Sequence, residues 1–173
     1  TLYGDLHLSV IDEVPANRKP IQTCHYSQRA WPEVYPFVRK QIQEGRQVFV
    51  VFPLIEESEA LDLQNLMDGY EGFSRDFPEP YFHISFVHGR MSSEEKNREM
   101  EKFAAGETQL LLATSVIEVG IDIPNASVII IENAERFGLA QLHQLRGRVG
   151  RGANQSYCIL MTDFKLSRES KKR

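Results

Sequence analysis

The chain of 173 residues is 42% hydrophobic and 25% charged, a balance that indicates one globular domain and excludes disordered and fibrous proteins. Its net charge of -4 excludes a uniformly basic nucleic-acid coat but is compatible with a local basic surface. Two cysteines are too few for a disulfide framework or a four-ligand zinc site, and no apolar run approaches the roughly 20 residues of a membrane span. We therefore expect a cytosolic chain with no membrane partner and, because it begins on Thr1, a piece of a longer protein.

The first half of the chain alternates between strand and helix patterns. Residues 1–20 contain Pro15 and Pro20 and have no regular pattern, which predicts a linker or the end of a preceding domain. A short strand at 21–26 precedes a helix at 31–43, which stops at Gly45. The strand at 47–55 has almost no polar residue, as expected when both faces are covered. Ser58 then predicts the N-cap of a second helix, which the prolines at 78 and 80 end.

The second half continues the alternation. After a strand at 81–87, residues Ser92 to Glu95 fit a capping box at the start of a helix that Gly106 closes. Further strands are predicted at 109–113, 128–131 and 157–161, with a helix at 139–146 and a basic tail from residue 165. This pattern predicts a three-layer α/β/α fold with a mostly parallel sheet. Such sheets bind ligands at the carboxyl ends of their strands, so we expect chemistry in the loops after Val87, Ala113 and Ile131.

The most informative stretch lies at residues 141–152, where three arginines alternate with three glycines. Arg148 and Arg151 are three residues apart and project from one side of a helical turn. Their fork-shaped, permanently charged guanidinium groups suit phosphoryl oxygens, and Gly147 and Gly150 let backbone and ligand approach closely. The alternative interpretations are a solvated basic turn and a generic arginine–glycine patch that binds anions.

A second candidate stretch follows the strand at 109–113. Thr114 and Ser115 offer hydroxyl and backbone N–H groups that can hold a phosphate at the end of the strand. Gly120 provides a tight backbone, and the Asp122 carboxylate can accept hydrogen bonds from a ribose hydroxyl. The same residues also fit a plain strand-to-helix cap, so this stretch alone leaves both interpretations open.

The chain lacks the phosphate-binding pattern G-x-x-x-x-G-K-[ST]. Without it, the chain cannot cradle the β- and γ-phosphates of a nucleotide in the P-loop manner. We also expect no metal site, since His83 and His88 are only an isolated pair near a strand end. The sequence therefore predicts residues that can contact a phosphate but no P-loop that could cradle it.

These stretches resemble sequence motifs of superfamily 2 helicases. Residues 114–122 are similar to motif V, and residues 144–151 are similar to motif VI. The longer run 131–152, together with residues 6–13, 54–58 and 87–91, resembles the RecG family of bacterial DNA helicases. The likeness covers almost the whole chain. The transcription-repair coupling translocases share the motif VI region, whereas residues 54–58 favour the RecG family.

The resemblance implies that the chain is the second RecA-like lobe of a two-lobe ATP motor. The lobe is expected at residues 21–164, with residues 1–20 as a linker or the end of the preceding helicase lobe and residues 165–173 as a basic tail. Members of the family carry the P-loop and the Asp-Glu-x-His box on their first lobe, so ATP and Mg²⁺ are expected to bind mainly there. The implied partners are that first lobe, the wedge domain of the same chain and branched DNA held through its backbone phosphates, in the bacterial cytoplasm.

The resemblance also implies roles for individual residues. Arg148 and Arg151 are expected to reach ATP bound on the other lobe, and Gln144 to link phosphate sensing to that lobe. Gly120 and Asp122 are expected to contact the nucleotide sugar.

Two further residues, Gly89 and Thr114, are implied to hold the nucleic-acid backbone, while Arg146 either assists at ATP or pairs with an acid on the partner lobe. The implied function is an ATP-dependent DNA helicase that remodels stalled forks and Holliday junctions in recombination and repair. The alternatives are the same lobe of a coupling translocase, or a non-catalytic nucleic-acid-binding module with a degenerate helicase fold. Because it lacks a P-loop, the fragment alone is expected to be inactive.

Overall fold

The structure, a computed structural model, describes residues 20–54, 58–114, 123–150 and 154–163. The predicted linker, apart from Pro20, and the predicted basic tail lie outside these residues. Within the described ranges, six strands alternate with four α-helices. The strands are β1 (Gln22–Ser27), β2 (Gln47–Phe52), β3 (Ile84–Val87), β4 (Leu110–Thr114), β5 (Ala126–Ile131) and β6 (Tyr157–Thr162). The helices are α1 (Trp31–Gln43), α2 (Glu59–Asp76), α3 (Ser93–Ala104) and α4 (Leu139–Arg146), and 3-10 turns occupy Gln28–Ala30 and Ala134–Arg136.

The strands form one sheet in the order β1-β6-β5-β2-β4-β3, and every neighbouring pair is parallel. All of them therefore begin at one edge of the sheet, called here the amino edge, and end at the opposite, carboxyl edge. Strands β2, β4 and β5 are buried along their whole length, because helices cover both faces of the sheet.

Two apolar cores flank the sheet. On one face, Val38 of α1 and Leu66 and Phe73 of α2 pack against one set of alternating strand residues. On the other face, Phe103 of α3 and Leu142 of α4 pack against the other set. The predicted three-layer α/β/α fold is confirmed. No helix in the described ranges combines the length and the apolar character that crossing a membrane requires.

The predicted helix starts are confirmed in detail. The Ser58 hydroxyl accepts a hydrogen bond of 3.3 Å from the backbone N–H of Leu61 at the start of α2. At the start of α3, Ser92 and Glu95 exchange side-chain and backbone hydrogen bonds of 3.1 and 3.2 Å, which is the predicted capping box. Helices α1 and α4 have the bounds that their apolar spacing predicts.

Two predicted strands are too long. The prediction that β2 extends to residue 55 is wrong, because the strand ends at Phe52 and Pro53 has no N–H for the ladder. The prediction that β3 begins at residue 81 is also wrong. The N–H of Phe82 bonds to the carbonyl of Pro78 at 3.1 Å, so a turn takes up these residues and the strand begins at Ile84.

Candidate functional site

Four of the seven residues predicted for the site lie in the described ranges. The structure divides them between the two edges of the sheet: Gln144 and Arg148 lie toward the amino edge, and Gly89 and Thr114 lie at the carboxyl edge. The other three, Gly120, Asp122 and Arg151, lie outside the described residues.

Arg148 lies in a tight turn that follows α4. Its backbone N–H donates to the carbonyl of Leu145 at 3.0 Å, and the N–H of Val149 donates to the carbonyl of Arg146 at 3.3 Å. The Val149 side chain is 2% exposed and belongs to the core, which anchors the turn. The Arg148 side chain is half-buried and Gln144, one turn earlier, is exposed. Core packing thus fixes the backbone from which both side chains project.

Gly150 closes this turn against the start of the sheet. It has a φ of 82°, and a Cβ at this position would lie 2.8 Å from Cγ1 of Ile21, the residue before β1. Only glycine meets both requirements without strain. This contact places the arginine turn at the amino edge, because α4 carries the chain back from the carboxyl edge. Arg148 therefore does not lie at the carboxyl ends of the strands, where the sequence led us to expect the ligand-binding residues.

Arg146, whose role the sequence left open, is buried. Its side chain is 8% exposed, and its Nη2 atom lies 3.3 Å from Nδ1 of His143. Burial lowers the pKa of Arg146 and raises the pKa of the Cys158 thiol on β6 to about 12, although the nearby guanidinium acts on that thiol in the opposite direction. Arg146 therefore packs α4 onto β6 and does not stand beside Arg148 on the surface.

Thr114 ends β4 at the carboxyl edge, paired with Phe52 of β2. Its side chain is 2% exposed, and its hydroxyl oxygen has no hydrogen-bond partner within the described ranges. An unpaired buried hydroxyl is unusual in proteins because it loses its hydrogen bonds to water. Among the described residues, this hydroxyl thus has unused hydrogen-bonding capacity at the edge where a backbone phosphate was predicted.

Gly89 lies in the exposed loop after β3, beside the start of α2. A Cβ at Gly89 would lie 3.4 Å from the Glu59 carboxylate, and the next N–H, that of Arg90, donates to Nδ1 of His88 at 3.2 Å. Burial lowers the pKa of His88. Glu59 repels phosphate, and the exposed Arg90 is the cation next to Gly89 in this loop.

A cavity of about 450 Å³ also opens at the carboxyl edge, between α1 and α2. Its aromatic wall includes Trp31, Tyr35 and Phe73, and its polar part includes Gln28 and Glu132. Sequence reasoning pointed to the loop after Ile131 but did not single out any of these residues. The available signal was one acidic side chain placed directly after the apolar run of β5.

Glu132 is the most perturbed carboxyl group in this cavity. It is 8% exposed, and its Oε2 atom accepts a hydrogen bond of 3.2 Å from the Gln28 amide. Burial raises its pKa to about 7, the Glu135 charge acts in the same direction, and the hydrogen bond from Gln28 acts against it. This carboxyl group therefore changes charge near neutral pH.

The described residues do not provide a metal centre. Within these ranges, no group of three or more His, Cys, Asp and Glu side chains could hold a metal ion. The carboxylate cluster that Mg²⁺ requires is therefore not found in the part of the chain that the structure describes.

The comparisons with known proteins identify relatives over nearly the whole chain. The profile of the helicase conserved C-terminal domain matches residues 32–153. The ATP-dependent DNA helicase RecG of Thermotoga maritima is 53% identical over 160 residues, which cover 92% of this chain and 20% of that protein. The structure of RecG bound to a three-way DNA junction is similar with a TM-score of 0.73 and 45% identity, over 93% of this chain and 21% of that one.

A more distant structure supports the fold alone. The L327V variant of Dbp5 of S. cerevisiae, bound to RNA and ADP BeF3, has a TM-score of 0.58 and 19% identity, over 92% of this chain and 40% of that one. The chain spans a fifth to a quarter of the length of its RecG relatives, with 20% of the T. maritima protein and 24% of the Bacillus subtilis protein covered.

Proposed function

This chain belongs to the helicase conserved C-terminal domain family, and we propose that it is the second motor lobe of an ATP-dependent DNA helicase of the RecG type that remodels branched DNA in recombination and repair. The observation that carries the proposal is the similarity to junction-bound RecG, at 45% identity over 93% of the chain. The relatives are named RecG at identities of 45% to 53%, which favours RecG over the coupling translocase. A bacterial cytoplasmic location is part of this proposal.

The lobe is proposed to span residues 21–164 and to work against a first RecA-like lobe elsewhere in the longer protein. That lobe supplies the P-loop that this sequence lacks. It also supplies the ligands of Mg²⁺, for which the described residues have no carboxylate cluster. In this proposal, ATP therefore binds in the cleft between the lobes. Residues of the second lobe contact ATP only when the cleft closes.

Arg148 and Arg151 form the catalytic contribution of this lobe in the proposal. Their guanidinium groups neutralise charge on the γ-phosphoryl group as it is transferred, a contribution on the order of 10³–10⁵ in rate for arginine fingers. Support for this role comes from the anchored turn at Arg148, since a fixed backbone reduces the entropy lost in positioning the side chain. Gln144 senses the phosphate beside it, and Gly120 and Asp122 contact the sugar.

The proposal places the DNA backbone at the carboxyl edge, on Gly89 and Thr114. These residues and Arg148 lie at opposite edges of one continuous hydrogen-bonded sheet. A strand of five residues such as β4 separates the edges by about 16 Å. Closure of Arg148 on ATP would therefore displace the DNA contacts together with the lobe, and hydrolysis would release them. Contacts of this kind, to phosphate and not to base edges, make translocation independent of sequence.

The nucleotide side is tested by Arg148→Ala in the longer protein. We expect DNA-stimulated ATP turnover to fall by about 10³-fold while binding of a model fork changes little. Arg98→Ala is the matched control, because Arg98 is an exposed arginine on α3. Turnover within a few-fold of the unsubstituted protein would refute the assignment. The 173-residue chain alone should not hydrolyse ATP.

The DNA side is tested by Thr114→Val, which removes the hydroxyl and keeps the shape of the side chain. Because this hydroxyl has no partner in the described ranges, the substitution should not weaken the fold. We expect fork affinity to fall several-fold at low salt, with ATPase activity in the absence of DNA unchanged. A protein that binds forks but shows no ATPase stimulation, even unsubstituted, would instead support the non-catalytic binding module.

A further inference from the structure

The cavity at the carboxyl edge has no role in the proposed function. It measures about 450 Å³, and none of the described residues assigned to nucleotide or DNA lines it. Helix α2 faces it with Gly69 and Gly72, and a Cβ on Gly69 would strike the ring of Phe52. The cavity thus has a wall of aromatic rings and a helix whose small residues leave space beside them.

Glu132 is a polar group in this cavity whose hydrogen bonding is incomplete among the described residues. One carboxyl oxygen accepts from Gln28, but the other, Oε1, is buried and has no hydrogen-bond partner in the described ranges. The Gln28 amide, which stabilises the charged form of Glu132, is not a cation, and the Trp31 indole N–H donates to Gln28 Oε1 at 2.9 Å. Arg75 and Arg136 also line the cavity, but within the described ranges neither forms an ion pair with Glu132, and the charged neighbour that acts on its pKa is Glu135, which repels. The carboxylate therefore needs a donor, and a positive charge would satisfy it best.

The walls indicate which cation fits. Trp31 and Tyr35 stack on each other with centroids 4.9 Å apart, and Phe73 meets both rings edge-on at 5.4 and 5.3 Å. A guanidinium group is planar, less strongly hydrated than an ammonium group and able to stack on aromatic rings while donating to a carboxylate. We propose that this cavity receives the guanidinium group of an arginine side chain presented by another domain of the longer protein, with Glu132 as its acceptor.

The surroundings of the cavity favour a protein partner over a free small molecule. Pro53 lines the cavity, and the adjacent Leu54 is 45% exposed at the same edge. The chain spans only a fifth to a quarter of its relatives, so the longer protein has other domains that can cover this edge. The proposal rests on that part of the proposed function, but not on ATP hydrolysis or on DNA binding.

Binding can be measured in the full 173-residue chain, because Trp31 is its single tryptophan and lines the cavity. The probe is N-acetyl-arginine amide, and N-acetyl-citrulline amide is the uncharged control of the same shape. We expect saturable changes in Trp31 fluorescence with the arginine compound and affinity about tenfold weaker with citrulline. Glu132→Gln should remove this preference, whereas Glu135→Gln should keep it.

The pH dependence gives a second readout. Raising the pH from 6 to 8 should strengthen arginine binding about tenfold as Glu132 ionises, since the pKa of this group lies at about 7. The other charged groups facing the cavity are Asp68 and Arg75 on α2 and Arg136 after β5, together with Glu135 beside it. In Glu132→Gln, which removes the titrating group, the affinity should stay constant over this range.

Three outcomes would overturn the proposal. Equal binding of arginine and citrulline amides would exclude a charge-dependent site. Stronger binding of guanosine than of the arginine compound would assign the cavity to a nucleobase. In the longer protein, the arginine of the neighbouring domain should already occupy the cavity and prevent binding of the probe, which saturation-transfer NMR measures. If the longer protein binds the probe as well as the 173-residue chain does, a neighbouring domain does not supply the arginine. A protein that does not hydrolyse ATP can still give every supporting result, so this proposal and the proposed function can fail independently.

Discussion

Replacing Glu132 by glutamine should change how the stability of this domain depends on pH. The pKa of Glu132 is raised from 4.5 to about 7 by burial, so the folded chain holds this proton more tightly than the unfolded chain does. Stability from this group is therefore fully present below about pH 4.5 and is lost as the pH rises to about 7. Glutamine does not titrate, so Glu132→Gln removes this dependence.

The size of the effect follows from the two pKa values. The difference between 4.5 and about 7 corresponds to about 3 kcal/mol, at about 1.4 kcal/mol for each unit of pKa. The glutamine amide can still accept the hydrogen bond from Gln28, so the fold is retained. Relative to the unsubstituted chain, the variant should thus gain about 3 kcal/mol of unfolding free energy between pH 4 and pH 8.

Urea unfolding of both chains at pH 4, 6 and 8, followed by far-UV circular dichroism, measures this difference. Glu107→Gln is the control, because Glu107 is an exposed glutamate after α3 and its loss should leave the pH dependence unchanged. The reasoning fails if the difference in unfolding free energy between Glu132→Gln and the unsubstituted chain stays constant from pH 4 to pH 8. Ionisation of Glu132 would then not destabilise the folded state.

Three further substitutions test the packing by the same unfolding assay. Gly69→Ala places a methyl group against the ring of Phe52, with 2.8 Å to Cε1, and should destabilise by about 1 kcal/mol despite the higher helix propensity of alanine. Ser92→Ala removes the cap of α3 and should destabilise by about 1 kcal/mol, with the largest effect on amide exchange in that helix. Gly150→Ala meets Ile21 at 2.8 Å with a φ of 82° and should destabilise by at least about 1–2 kcal/mol; an unchanged midpoint would contradict the tight closure of the arginine turn.

The sequence by itself determined the layered fold and the family. Local interactions set the helix starts, as at Ser58 and Ser92, and the apolar runs identified strands buried on both faces. These features depend on residues close in the chain, so their pattern is visible without coordinates. The arginine–glycine stretch likewise identified the family, because its residue types and spacing are specific. Where prediction failed, at the ends of β2 and β3, proline and turn hydrogen bonds decided the boundaries.

Tertiary structure alone decided how the site is arranged. The strand order β1-β6-β5-β2-β4-β3 brings Gln28, after the first strand in the chain, to Glu132, 104 residues later. The reversal of the chain through α4 put Arg148 at the amino edge and separated it from Thr114 at the carboxyl edge, where the sequence predicted that ligands bind. The burial of Arg146, the burial of Thr114 and the raised pKa of Glu132 all arise from packing between residues far apart in the chain. Desolvation depends on what surrounds a group in space, and a linear sequence does not contain that information.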